Sequence, residues 1–143
     1  MRLKGGWQNI LCGRFGRTIK MYQYKAKLIR VVDGDTVDAL IDCGFSTFKR
    51  ERIRLYGINT PECRTRDKKE KVRGLAAKAR LKELLKEGKN QFIVETSIDK
   101  KGKFGRLLGV LYRNEECANN RILSYNESLV TEGHAVRYHG GKR

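Results

Sequence analysis

The chain has 143 residues, 39% hydrophobic and 34% charged, which suits one domain with a single core and no need of disulfide or metal staples. Lys and Arg outnumber Asp and Glu by 32 to 16, a formal net charge of +16, and this points to a polyanionic partner because each neutralised phosphate releases counterions. An anionic membrane surface is the rival, but no stretch approaches the roughly 18 consecutive apolar residues of a spanning helix.

Residues 1–20, "MRLKGGWQNILCGRFGRTIK", are interrupted by Gly and Arg and hold no secretory apolar segment. A cytoplasmic location is therefore expected. The segment reads either as a basic arm that touches nucleic acid or as sequence lying upstream of a domain at 21–143; the second reading is the simpler. From Tyr22, "YQYKAKLIRVVDGDTVDALID" gives two strand-like runs around an Asp-Gly pair, a hairpin signal. "STFKRERIRLYGI" follows as a third strand carrying Phe48, Ile53 and Leu55, with a bulge to account for its broken alternation.

Asp67 and Glu70 have the spacing of a capping box. Behind them Val72, Leu75, Ala76, Ala79, Leu84 and Leu85 set an apolar stripe at helical spacing, closed by Gly88. "QFIVETSI" and "RLLGVLYR" predict a fourth and a fifth strand. Ser124 and Glu127 form a second capping box, opening a short helix that carries Leu129 and Val130 and stops at Gly133. Five short strands in the order βββ-α-ββ-α predict a β-barrel with helices packed on it, an α+β fold of the five-stranded OB type. That fold often binds polyanions but dictates no activity.

Cys12, Cys43, Cys63 and Cys117 make no C-x-x-C pair, and the two histidines, His134 and His139, lie near the end. Neither a zinc site nor a histidine-based metal nuclease is expected. The thiols read as reduced, with a single disulfide left open.

Chemistry-bearing side chains gather in two short runs. "IRLYGINTPE", residues 53–62, sets Arg54, Asn59 and Glu62 around the chain's one proline, Pro61, and "VVDGDT" sets Asp33 and Asp35 on either side of Gly34. Each has a plain structural explanation. Asp-Gly makes a tight turn, Asn59 initiates one before Pro61, and Arg54 with Arg52 suits a basic sheet face. Arg106 in "KFGRLLG" is one cation among 32. Two carboxylates flanking a turn glycine are also a hard-oxygen site suited to Ca²⁺ or Mg²⁺.

The blocks "VVDGDT", "RLYGINTPE", "FGR" and "NESLVTEGHA" stand in the order and with the separations of the staphylococcal nuclease (thermonuclease) family, and the chain resembles that family over roughly residues 22–138. The resemblance implies an OB-fold barrel that hydrolyses phosphodiester bonds of DNA and RNA with Ca²⁺. It implies Asp35 as the principal Ca²⁺ ligand, Asp33 acting through water or from behind, and Thr60 ligating through its backbone carbonyl. Asn59 stands where the best-studied members have a second acidic ligand, so an amide oxygen replaces a charged one. Glu62 resembles the carboxylate that orients the attacking water, and Arg54 and Arg106 the two guanidiniums that grip the scissile phosphate. Lys103, Phe104 and Tyr138 are implied contacts to nucleic acid. Phe104 replaces a tyrosine whose hydroxyl would reach the phosphate, and His139 accompanies Tyr138 as a stacking candidate. Single strands, low sequence specificity and a monomer are expected. A non-catalytic nucleic-acid-binding barrel is the alternative, and a basic scaffold of a ribonucleoprotein is a weaker one.

Overall fold

A computed structural model describes residues 21–101 and 107–138, with the backbone alone for Met21 and residues 97–101. Strand β1 (Met21–Asp33) turns into β2 (Thr36–Asp42), which turns into β3 (Phe48–Leu55) and the two-residue β4 (Ile58–Asn59). Helix α1 (Lys68–Glu87) follows, then β5 (Gln91–Lys101) and β6 (Leu107–Tyr112), helices α2 (Glu115–Asn120) and α3 (Tyr125–Thr131), and β7 (Val136–Arg137). Five strands close a barrel in the order β1-β2-β3-β6-β5, while β4 and β7 pair separately. The barrel contacts are antiparallel except for β3 with β6. The fold is the five-stranded OB-type barrel expected from the sequence.

Alternation fills its interior. Val37, Ala39 and Ile41 of β2, Ile53 and Leu55 of β3, Val94 of β5 and Leu111 of β6 point inward, and all are buried. Leu81 and Leu85 of α1 and Leu129 of α3 join the same cluster.

Four expectations are corrected. The bulge lies in β1, between Leu28 and Arg30 and again between Val31 and Asp33, whereas β2 and β3 stay in register from Thr36↔Arg54 to Asp42↔Phe48. β1 has 13 residues and serves both β5 and β2, so it must bend to close the barrel. Since β3 is regular, burying Ile53 and Leu55 turns Phe48 outward with Arg50, Arg52 and Arg54, and Phe48 is exposed. In α1 the buried face is Gly74, Ala77, Leu81, Leu84 and Leu85; Val72, Leu75, Ala76 and Ala79 are exposed. Finally, α2 was not expected. It has one buried residue, Ala118, too little for periodicity to register, and is started by the Asn114 side chain accepting from the Cys117 amide. α2 covers a small cluster of Ile93, Tyr112 and Ala118 outside the main core.

Both helix starts read from the sequence are present, with Asp67 accepting from the Lys69 and Glu70 amides and Ser124 from the Glu127 amide. Cys43, Cys63 and Cys117 are free thiols. Among the described residues, no helix is long and apolar enough to cross a membrane.

Candidate functional site: the Asp35–Arg54 corner

Two glycines set the site. A Cβ on Gly34 would lie 2.7 Å from the Ala77 Cβ and 3.0 Å from Thr60 Oγ1, so the β1–β2 turn sits directly on α1 and on the corner after β4. A Cβ on Gly74 would lie 2.5 Å from the Glu62 carbonyl oxygen and 2.8 Å from that of Pro61. Turn, corner and helix are therefore stacked without room for a methyl group.

Asp35 is buried at the centre. Its Oδ1 accepts from the Thr36 hydroxyl at 3.0 Å, its Oδ2 accepts from the Thr60 amide at 3.2 Å, and Arg54 Nη1 lies 3.3 Å from the same Oδ2. Arg54 is held at both terminal nitrogens. Nη1 donates to the carbonyls of Leu55 and Ile58, at 3.2 and 3.1 Å, and Nη2 donates to Asn59 Oδ1 at 3.3 Å. Its side chain is only 12% exposed. The guanidinium offsets the desolvation of the Asp35 carboxylate, and the carbonyls fix where it points.

Asn59 thus meets Arg54, and Thr60 meets Asp35 through its amide. Thr60 Oγ1 and Asp33 Oδ1 are buried without a hydrogen-bond partner. Asp33 also faces Cys63, whose thiol is pushed up by burial and further by the neighbouring Asp33 carboxylate. No three His, Cys, Asp or Glu side chains converge among the described residues. The oxygens of Asp33, Asp35, Asn59 and Thr60 are nevertheless hard donors, and Asp33 Oδ1 and Thr60 Oγ1 lack partners, a chemistry suited to a hard cation such as Ca²⁺.

Glu62 is exposed in the loop that precedes α1, and its amide donates to Glu70 Oε1 at 3.4 Å. Glu70 thereby serves the corner, where the sequence suggested a reciprocal cap. Tyr138 also reaches this end: β7 pairs with β4 through Ile58↔Arg137 and Asn59↔Val136, and the Tyr138 amide donates to the Gly57 carbonyl at 2.8 Å. Arg106, Lys103, Phe104 and His139 lie outside the described residues. Leu107, which follows Arg106, pairs with Ile53 one residue from Arg54.

One residue escaped the sequence reading. Asn126 is buried, its Oδ1 accepting from the Leu111 amide at 3.1 Å and its Nδ2 donating to the carbonyls of Tyr56 and Gly109 at 2.8 and 3.3 Å. It fastens α3 to β6 and to the loop that supplies the carbonyls around Arg54. The available signal was its place three residues before Leu129, on the inward face of the helix.

The family model described as Staphylococcal nuclease homologue matches residues 52–143, more than half of the chain. The chain belongs to the staphylococcal nuclease homologue family. The matched region takes in Arg54, Asn59, Thr60, Glu62 and Asn126, and the turn that carries Asp33 and Asp35 lies before it, with β2 between. Over 131 residues the chain is 30% identical to an uncharacterized protein of Methanocaldococcus jannaschii, covering 80% of this chain and 59% of that protein. Over 122 residues it is 27% identical to Protein ParB of Escherichia coli, covering 82% of this chain and 60% of that one. The chain therefore spans about three fifths of the length of these two curated relatives.

Proposed function

We propose that the chain is a Ca²⁺-dependent nuclease that hydrolyses phosphodiester bonds of DNA and RNA, preferring single strands and reading little sequence. The observation that carries this reading is the seat of Arg54: a nearly buried guanidinium held by two backbone carbonyls beside the buried Asp35 carboxylate. A cation fixed this firmly is preorganised to meet an anion and loses little freedom when it does. Its planar fork suits two phosphate oxygens.

Asp35, the Asn59 amide oxygen and the Thr60 carbonyl are assigned to the cation, with Asp33 behind them. When bound, Ca²⁺ supplies charge compensation and holds the phosphate in place. Arg54 grips the equatorial oxygens, whose negative charge grows toward the transition state, so its stabilisation is greater there than for the bound diester. Arg106 is assigned the matching role on its place in "FGR", Glu62 the orientation of the attacking water, and Lys103, Phe104 and Tyr138 contacts to the strand.

Arg54→Lys tests this reading, because it retains the charge beside Asp35 while losing the fork. We expect turnover on single-stranded DNA with Ca²⁺ to fall about 100-fold or more, with an unfolding midpoint close to the parent's. A variant as fast as the parent would refute the role of Arg54. A binding module without catalysis is the second reading, favoured by the amide at Asn59, which leaves the corner one negative charge poorer. Binding without cleavage under every divalent metal would establish it.

A further inference from the structure

The outer face of the sheet continues away from Arg54. Unbroken register places Arg54, Arg52, Arg50 and Phe48 in one file on β3, opposite Thr36, Asp38, Leu40 and Asp42 of β2. On β1, Lys27 pairs with Leu40 and Arg30 with Asp38. The bulge between Leu28 and Arg30 brings these two cations, three residues apart, onto the same face.

Asp38 fixes the middle of the file. Arg52 donates to it through Nε and Nη2 at 2.7 and 3.1 Å, and Arg30 through Nε at 2.9 Å. The carboxylate is buried, while the arginine side chains remain 57% and 46% exposed for Arg30 and Arg52. The trio carries a net positive charge in fixed orientation.

At the far end the β2–β3 hairpin is strained. Thr47 N donates to the Gly44 carbonyl at 2.9 Å around Phe45 and Ser46, both with positive φ, 54° and 58°. Two left-handed residues inside one such bond make a type I′ turn, which favours Asn-Gly over Phe-Ser. Phe45 nonetheless occupies it, fully exposed at 103%, with Phe48 beside the turn at 58%. A bulky residue in this backbone region and in water stabilises nothing in the fold.

We infer that this face, from Arg54 to the Phe45 tip, is a track for an extended single strand of nucleic acid beyond the scissile phosphate. Arg52 and Arg30, joined through Asp38, take one phosphate and Arg50 the next, and Phe48 and Phe45 stack bases. Alternate residues on a strand stand about 6.6 Å apart, comparable to the spacing of successive phosphates in an extended chain. The file from Arg54 to Phe48 therefore spans about three nucleotide steps. The linear order of cations ending in aromatics, continuous with the Arg54 corner, matches a strand better than a membrane surface does. The inference rests on the nuclease reading for the orientation of that strand.

The test uses the full chain, a 12-residue oligothymidylate bound in chelator at several salt concentrations, and cleavage of dithymidylate with Ca²⁺. Arg50→Ala should reduce the slope of log affinity against log salt by about 0.7. Phe48→Ala should weaken oligothymidylate binding about five-fold or more. Phe45→Asn should raise the unfolding midpoint, because Asn tolerates the left-handed turn, and still weaken binding. Lys86→Ala, which removes one charge from α1, should leave the affinity within about two-fold of the parent. Dithymidylate cleavage should be unchanged in all four. Equal affinity and slope in the three track variants and the parent would overturn the track and leave the nuclease reading standing. Track-dependent binding by a parent that cleaves nothing would uphold the track and reject the nuclease. Selective loss of binding to phosphatidylserine vesicles, with oligothymidylate binding intact, would reassign the face to a membrane and overturn the inference. A parent that binds no oligothymidylate would overturn the track, and one that also cleaves no dithymidylate with Ca²⁺ would reject both.

Discussion

Asn59 is the residue on which the proposed chemistry of the corner turns. Its Oδ1 accepts from Arg54 at a place where an acid would add a second negative charge beside Asp35. Asn59→Asp should therefore bind Ca²⁺ more tightly than the native chain in a calorimetric titration; tighter binding by the native chain would contradict the assignment. Truncating Arg54 to Ala is a poorer probe than Arg54→Lys, because it strands the buried Asp35 charge, a loss of about 3–5 kcal/mol for a buried pair. Asp38 gives a pH signature of its own. Hydrogen bonding from Arg52, then from Arg30, overcomes the effect of burial and lowers its carboxyl from the ordinary 3.8 to about 2. A depressed folded value means that this contribution is present above about pH 4 and disappears as pH falls through 2. The half-exposed guanidiniums are screened by water, so it amounts to on the order of 1 kcal/mol. Asp38→Asn should be less stable than the parent at pH 7 by that amount, and the two urea midpoints should converge near pH 2. Parallel curves would show that the trio adds nothing.

At the scale of elements, α1 shows how far periodicity reaches. The helix, its Asp67 cap and its end were legible, because those depend on local propensity and capping. Its buried face was not. Gly74 and Ala77 carry little hydrophobic signal, yet they face the core side because backbone from two turns presses on them. Val72 and Leu75 carry a strong signal and stay in water. Gly74→Ala should lower stability by about 1–3 kcal/mol and reduce turnover as well, since the backbone it displaces carries Glu62. Leu75→Lys should change stability by less than about 0.5 kcal/mol. The reverse ranking in thermal unfolding would contradict this packing. Asn126 was hidden for a related reason: a polar residue on an inward face reads as surface until its three backbone partners are known. The β1 bulge was misplaced because closure of the barrel, and no local feature of β3, demands it.

For the whole molecule, the barrel followed from five strand signals in order, and the corner from blocks that turns bring together. Asp33, Asp35, Asn59 and Glu62 stood out in the sequence because residues that form turns there also carry carboxylates and an amide, and the structure gathers Asp35 and Asn59 on Arg54. The outer track was not legible, since Arg30 and Lys27 share a face only through a bulge that three-dimensional closure imposes. A net charge of +16 adds a general expectation: oligonucleotide affinity should fall steeply between low and high salt, well beyond the share of any one cation. The most direct measurement is release of acid-soluble nucleotides from single-stranded DNA by the native chain with Ca²⁺, repeated with a chelator. Release that requires Ca²⁺ and stops on chelation is predicted; intact DNA under both conditions, despite binding, would contradict the account.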